Sequence, residues 1–274
     1  MKNLLIITCF LYTLGISSQT ISKEFSLKFK ATYLLKFKTD TTNLSDQKHE
    51  ELLLLIGDSQ SKFISKARII RDSIMRETIK NQTSSGSINL MGLDLPKTNI
   101  AETVYKNREQ NQIITTEKKG KDDYLYTEEL KQLDWRILPE TKVVAGYKVQ
   151  KAKTYFAGRN YIAWFTEELP ISEGPYKFSG LPGLIIQIQD AQNHYNYQLI
   201  KWENINKDEL VENKDYTNNY VVIEKEEFFK FKKEYYENFF QRAEARGITL
   251  MLSPQDKKRI KNKFKNQNNP IELE

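Results

Sequence analysis

Residues 25–37 carry an apolar side chain at every second position. The apolar residues occupy every odd position of this stretch: Phe25, Leu27, Phe29, Ala31, Tyr33, Leu35 and Phe37. Lysines stand at three of the intervening positions. A period of two places all the apolar side chains on one face of a β-strand, whereas a helix would distribute them around its circumference. The stretch therefore predicts a long strand with one buried face.

Short segments with the same alternation follow along the chain. A helical spacing of apolar residues at 67–80 predicts one helix among them, but no segment of helix length interrupts residues 100–202. That argues against a parallel α/β sheet and favours an antiparallel meander. We predict strands at 52–56, 61–64, 103–106, 112–117, 124–127, 135–138, 142–152, 154–156, 161–165, 184–190 and 195–202.

The C-terminal third is aromatic and helical in pattern. Phe228, Phe231, Tyr235 and Phe239 are spaced three, four and four residues apart, which predicts one amphipathic helix over 224–246. Gly247 is a suitable stop, and Ser253-Pro254 predicts the start of a second helix, so that helices fill 224–265. The expected fold class is mainly β with C-terminal helices (α+β). We expect an antiparallel curved sheet, half-barrel or sandwich-like, covered by the amphipathic helix.

The first 18 residues have the layout of a secretory signal peptide. Lys2 precedes an apolar stretch at 4–16, and Ser17-Ser18-Gln19 forms a small, polar exit. The apolar stretch is shorter than the roughly 20 residues that span a bilayer. We therefore expect an exported protein that is periplasmic, outer-membrane-associated or extracellular, with no transmembrane segment after cleavage. Residues 19–274 are expected to form a single domain, with 81–98 as a polar, flexible loop insertion.

Charge and motif content exclude several functions. The chain carries 42 Lys+Arg against 36 Asp+Glu, with no arginine-rich stripe, which disfavours nucleic-acid binding. It has no phosphate loop, nucleophile elbow or His-Glu-x-x-His motif. His49 and His194, the only histidines, lack ligand partners at helical or strand spacing and are expected to be solvent-exposed, so we predict neither a metal site nor a cofactor. Carboxylate pairs that assemble only in space remain possible.

One hexapeptide stands out: Gly180, Leu181, Pro182, Gly183, Leu184 and Ile185. Pro182 presets the second position of a type II turn and Gly183 supplies the positive φ of the third, so the motif predicts such a turn. The stretch 170–183 is rich in proline and glycine, and its path is therefore stiffly specified. It either lines a binding site or covers a sheet edge or one end of the core.

The hexapeptide and its upstream blocks carry a family resemblance. The sequence is similar to the GLPGLI family through Trp135, 141–148, 151–152, 158–159, 163–166, 169–172, 174–178 and the hexapeptide itself. That family comprises secreted or envelope proteins of Bacteroidetes-type bacteria, and the resemblance implies no established activity. Residues 25–130 and 191–274 fit the family in pattern only.

These observations favour a non-catalytic envelope protein. We expect it to bind an apolar or peptide-like ligand, or a partner protein, in the concavity beneath helix 224–246. The same aromatic face could instead simply pack on the sheet as core. Two other functions stay open: a structural or assembly component of a surface complex, and an uncharacterised hydrolase. The candidate binding residues are Arg159, Trp164, Pro182, Phe231, Tyr235 and Phe239.

Overall fold

The structure, a computed structural model, describes residues 23–82, 92–130, 133–213, 219–245, 247 and 250–274. The expected signal peptide 1–18 lies outside the described residues. So does the central part, 83–91, of the expected insertion 81–98. Among the described residues, no helix is both long and apolar enough to cross a membrane.

The strands of the described residues join in one sheet. They are β1 Glu24–Phe37, β2 Lys48–Ile56, β3 Gln60–Ser65, β4 Glu102–Asn107, β5 Gln112–Lys119, β6 Asp122–Glu129, β7 Arg136–Val144, β8 Tyr147–Phe156, β9 Arg159–Thr166, β10 Leu184–Asp190, β11 Tyr195–Glu212 and β12 Tyr220–Val222. Their order across the sheet is β12-β6-β5-β4-β3-β2-β1-β11-β10-β9-β8-β7. Every named pair is antiparallel except β12 with β6. The predicted mainly β, antiparallel fold is confirmed.

Strand β1 lies in the middle of this sheet, between β2 and β11. Its first odd-numbered residues, Phe25 and Leu27, pack in a separate small cluster. The later ones face the main core as predicted, and Ala31, Tyr33 and Leu35 are each 0% exposed. We call the face that carries them the inner face. The Tyr33 hydroxyl donates to the Ile185 carbonyl oxygen at 2.7 Å, which joins the inner face to the start of β10.

Two hairpin turns correct the predicted strand boundaries. The expected strand 142–152 is divided at Ala145-Gly146, where φ is 51° and 86°. Ala157-Gly158 turns in the same way, with φ of 45° and 81°, and β9 begins directly after it at Arg159. Positive φ at both loop residues is the type I′ pattern, which matches the twist of the flanking strands. Sequence patterns do not predict this turn when alanine stands at its first position, because alanine rarely adopts positive φ and Asn, Asp or Gly is expected there.

The helices are α1 Lys66–Gln82, α2 Lys225–Glu237, α3 Phe239–Ala245 and α4 Pro254–Lys265. The single helix expected over 224–246 is wrong in one respect, because the described residues divide at Asn238 into α2 and α3. The predicted stop at Gly247 has φ of 70°. Ser253 caps α4 by accepting a hydrogen bond from the Asp256 amide at 3.1 Å, as the Ser-Pro pattern predicts.

The inner face is covered by α2 at one end and by the loop 167–183 further along. Phe228 of α2 packs on Tyr124 and Tyr126 of β6, with ring centroids 5.5 and 5.6 Å apart. Phe178 of the loop is fully buried against Tyr161, at 4.7 Å. The expected helix cover is therefore present, and the proline- and glycine-rich loop shares that role.

Candidate functional site

Three of the six candidate residues lie together on the helices. The rings of Phe231 and Tyr235 are 5.9 Å apart, and the Arg242 guanidinium lies 5.4 and 5.2 Å from their centroids. Phe239 of α3 packs on Phe264 of α4 at 5.2 Å. Interleaved aromatic rings thus join α2, α3 and α4.

We call this set the helical aromatic cluster. Its members share partial exposure: Phe229, Phe231, Tyr235, Tyr236, Phe239, Phe240 and Phe264 are all half-buried. Phe228, by contrast, is fully buried on the sheet. The space directly beneath α2 is filled by Phe228, Tyr124 and Tyr126, so the expected concavity under the helix is occupied by protein. The half-exposed rings are the apolar surface that this region offers.

Arg159, another of the candidate binding residues, is buried and paired. It is 4% exposed and forms a 2.8 Å ion pair with Asp190, which is 0% exposed. Its guanidinium also donates to Asn269 Oδ1 at 2.6 Å and, through Nε, to the Ile271 carbonyl oxygen at 3.1 Å. A buried charge is stable only when it is paired and hydrogen-bonded, as this one is. Arg159 therefore fixes the C-terminal residues to the sheet and lies away from the surface.

Trp164 and Pro182 are not brought near the helical aromatic cluster by any described contact. Trp164 is half-buried on β9, with Lys142 Nζ 4.1 Å from its ring centroid and Lys151 Nζ at 5.7 Å. Burial, followed by repulsion from Lys151, lowers the pKa of Lys142. Pro182 is exposed at the tip of the hexapeptide. A shallow depression of about 410 Å³ near this end of the sheet is lined by Asp134, Arg136 and other residues, not by these two.

The hexapeptide is shaped differently from a type II turn. Positive φ occurs at Gly180, at 97°, and Gly183 is not among the positive-φ residues. Gly183 is instead needed for close approach, because a Cβ there would lie 2.0 Å from the Thr166 carbonyl oxygen. Leu181 and Ile185 are buried while Pro182 is exposed. The motif thus holds β9 and β10 at backbone contact and closes one end of the core.

A buried ion pair anchors the hexapeptide loop to the opposite strands. Lys106 Nζ of β4 lies 2.5 Å from Glu173 Oε2 and donates to the carbonyl oxygens of Gly174 and Phe178 at 3.1 and 3.2 Å. Ser61 donates to Glu173 at 3.0 Å, and Arg108 pairs with the same carboxylate. Burial lowers the pKa of Lys106, and the charge of Glu173 partly offsets that effect.

A second network joins the loop, the sheet, α2 and the C-terminal segment. Lys177 lies 2.6 Å from Glu272 and also pairs with Glu128. Lys225 of α2 lies 2.9 Å from Glu128 and 2.7 Å from Glu272. Burial alone would raise the pKa of Glu272, but Lys177 and Lys225 outweigh it and the pKa is lowered. Two carboxylates therefore share two ammonium groups, and Glu272 stays ionised.

A third network lies under α2. Lys232 Nζ is 3.1 Å from Glu102 and 2.8 Å from Glu117, which are cross-strand partners on β4 and β5. Lys119 Nζ lies 2.6 Å from Glu117. Burial would raise the pKa of Glu102, but Lys232, and to a lesser extent Lys119, lower it to about 2. These carboxylates meet in space as a hydrolase would require, yet lysines neutralise them and helix α2 covers them.

Other acid–base candidates are not assembled among the described residues. His49 is exposed, as expected, and His194 is half-buried. His194 contacts Asp190 through its backbone amide at 2.7 Å. The described residues contain no group of three or more His, Cys, Asp or Glu placed to hold a metal ion.

Sequence patterns did not indicate the role of the C-terminal segment 268–274. The amide of Asn269 donates to the Thr39 carbonyl oxygen at 3.1 Å, and that of Leu273 to Ala157 at 3.0 Å. The Tyr195 hydroxyl donates to the Asn269 carbonyl oxygen at 2.6 Å. Polar terminal segments are usually poorly ordered unless they are tied down, and these hydrogen bonds hold this one on the sheet. The one local signal was its apolar pair, Ile271 and Leu273, within a polar tail.

Comparison with known proteins gives a short family match and no activity. Residues 157–187, from the turn before β9 through the hexapeptide into β10, match a family described as "Protein of unknown function (Porph_ging)". No curated protein matches the chain.

Two solved structures of PNGF-II, in different crystal forms, match this chain. The first has a TM-score of 0.51 at 14% identity and covers 74% of this chain and 32% of the PNGF-II chain. The second has a TM-score of 0.49 at 14% identity and covers 75% of this chain and 32% of that one. The chain thus spans about a third of the length of PNGF-II. At this identity the first likeness shows a shared fold alone.

Proposed function

We propose that this chain is an exported, GLPGLI-type envelope protein that binds an apolar or peptide-like segment of a ligand or partner without catalysing a reaction. The binding surface is the helical aromatic cluster. The observation that supports this proposal is the partial exposure of all seven rings of the cluster. The neighbouring Phe228, by contrast, is fully buried on the sheet. Apolar patches of this kind on soluble domains commonly mark interaction sites.

The cluster suits binding because its rings are held in place. Phe231, Tyr235 and Arg242 stack on one another, while Phe239 and Tyr236 pack on Phe264 at 5.2 and 4.9 Å. Rigid aromatic side chains give contact area at a low cost in conformational entropy. The exposed edges therefore need little reordering when a partner covers them.

The charged groups support binding more than catalysis. Each carboxylate pair near α2 is matched by lysines, and the pKa values of Glu102 and Glu272 are lowered. A general acid at neutral pH requires a carboxyl whose pKa is raised. These networks instead fasten α2 and the C-terminal segment to the sheet.

Site-specific photo-crosslinking tests the proposal. The chain is produced in its native envelope with benzoylphenylalanine in place of Phe240, and in a matched variant in place of Tyr155, which is 58% exposed on β8 away from the helices. We expect a discrete, light-dependent adduct at position 240 and none at 155. Equal labelling at both positions, or none at 240, would contradict the proposal.

A variant separates binding from folding. Tyr235→Ser/Phe240→Ser removes two half-exposed rings and leaves Phe228 in place. We expect binding of the apolar dye anilinonaphthalene sulfonate to fall severalfold while the sheet signal in circular dichroism is unchanged. A variant that keeps full dye binding would show that the cluster is ordinary core.

Strand β7 supports a second function, assembly into a surface complex. It is an edge strand of the sheet, and Val143 and Ile137 on it are 72% and 45% exposed. Open edges are templates for pairing with another strand, although Pro139 lies within this one, where its pairing with β8 is irregular. Sedimentation velocity of the native chain and of Val143→Lys tests assembly through β7. We expect concentration-dependent oligomers of the native chain that the substitution removes. A native chain that stays monomeric would rule this assembly out.

A further inference from the structure

Helix α4 concentrates the positive charge of the molecule. Its twelve residues contain one acidic residue, Asp256, and six basic ones: Lys257, Lys258, Arg259, Lys261, Lys263 and Lys265. The helix therefore carries a net charge of +5, where the whole chain carries +6. All six basic residues are exposed.

These charges are largely uncompensated. Among the residues that the structure describes, the ion pair made by α4 is Arg259 with Asp256, at 3.0 Å, within the helix itself. Lys261 lies 5.9 Å from the ring centroid of Phe240. The lysines of the buried networks, by contrast, each face one or two carboxylates. The surface of α4 thus has charge available for an external anion.

The geometry of the helix gathers four lysines into one ridge. Its half-buried residues, Ile260 and Phe264, face the protein, where Phe264 packs on Tyr236 and Phe239. At 3.6 residues per turn, four basic positions fall within roughly a third of the circumference, beside this packed side. They are Lys257, Lys258, Lys261 and Lys265.

An exposed apolar residue precedes the ridge. Met251 is 98% exposed, two residues before the Ser253 cap of α4. An exposed, flexible thioether six residues before the first lysine of the ridge has the pattern of an interfacial anchor, in which an apolar side chain enters the headgroup region while basic groups bind its phosphates. Neither α4 nor Met251 contributes a fully buried residue to the core.

We propose that α4 and Met251 dock the protein on the surface of an anionic phospholipid bilayer. Lysines predominate over arginine on the ridge, and a lysine binds as a point charge, which suits a mobile layer of headgroups. Recognition of nucleic acid or another structured polyanion favours the bidentate fork of arginine and gives no role to Met251. The inference is independent of the function proposed for the helical aromatic cluster.

Vesicle co-sedimentation tests the inference. Residues 19–274 are mixed with vesicles of phosphatidylcholine alone, or of equal parts phosphatidylcholine and phosphatidylglycerol, at low and high salt. We expect binding to the anionic vesicles only, with loss at high salt because surface charges are screened. Each basic side chain near such a surface contributes about fivefold, so Lys257→Gln/Lys258→Gln/Lys261→Gln/Lys265→Gln should lower the partition on the order of 500-fold.

Two further variants make the result specific. Lys36→Gln/Lys121→Gln/Lys148→Gln/Lys153→Gln removes the same charge from exposed positions on the sheet and should retain most of the binding. Met251→Ser should weaken binding about threefold to tenfold, since one apolar side chain no longer enters the interface. Equal losses in the two quadruple variants, or equal binding to both kinds of vesicle, would overturn the proposal. Retention of heparin with no vesicle binding would overturn it in favour of a soluble polyanion.

Discussion

At the scale of single residues, Gly183 shows how a motif position can be fixed by contact instead of by turn conformation. A side chain there would meet the carbonyl oxygen of Thr166 at 2.0 Å, and backbone atoms cannot move aside cheaply. We expect Gly183→Ala to lower the free energy of unfolding by about 3 kcal/mol or more. Unfolding by denaturant measures this free energy. Pro182→Ala, at the exposed neighbouring position, should change the free energy of unfolding by less than about 1 kcal/mol.

Arg159 gives a second residue-scale prediction. Arg159→Leu leaves the carboxylate of Asp190 buried without its ion-pair partner, which costs about 3–5 kcal/mol. It also removes the donors to Asn269 and Ile271, so the amides of 269–273 should exchange faster with solvent. Hydrogen exchange and thermal unfolding check both effects. Arg136→Leu, on the exposed edge strand, is the control, and a similar loss there would argue against a special role for Arg159.

At the scale of elements, α2 is held to the sheet by charge as well as by rings. The folded pKa of Glu102 is about 2, against an ordinary value of 4.5. The charged carboxylate therefore stabilises the fold fully above about pH 5, and this stability is lost as the pH falls from 4.5 towards 2. Its contribution is at most about 3 kcal/mol. The ion pair of Glu102 with Lys232 thus stabilises the packing of α2 on the sheet, and acid weakens it.

Removing the Glu102 carboxylate tests whether this ion pair stabilises the packing of α2. In Glu102→Gln the unfolding temperature should be lower at neutral pH and should fall less between pH 5 and 2 than in the native chain. Thermal unfolding at several pH values in this range measures, for each protein, the slope of the unfolding temperature against pH. Glu109→Gln, at an exposed position, should retain the native slope. If Glu102→Gln also retains the native slope, the pair of Lys232 and Glu102 does not stabilise the packing of α2.

At the scale of the whole molecule, β1 joins the two halves of the sheet. One side of β1 leads through β2 to β6 and β12, and the other side leads through β11 to β7. Leu35→Ala opens a cavity in the shared core and should cost about 2–5 kcal/mol. Far- and near-ultraviolet circular dichroism should then still report a single, coincident transition at a lower denaturant concentration. Two separated transitions would show that the halves fold independently.

Much of the local structure was determined by the sequence alone. The period of two in 25–37 identifies β1 and its buried face, and Ser253-Pro254 identifies the start of α4. Both signals arise from neighbouring residues, whose side chains alternate across a strand or cap the first amides of a helix. The fold class follows from many such segments. Among the candidate binding residues, the grouping of Phe231, Tyr235 and Phe239 on helices also follows from local spacing.

Only the tertiary structure decided which segments meet. It placed Glu272 beside Lys177 and Lys225, buried Arg159 against Asp190, and made Gly183 a point of backbone contact with Thr166. Charge patterns along the chain predict solvated lysines and glutamates, because burial of an ion is favourable only when a distant partner arrives to pair with it. Such partners are more than thirty residues apart or lie on separate elements. Local periodicity describes one strand or helix at a time, and it carries no information about the neighbour that each will find.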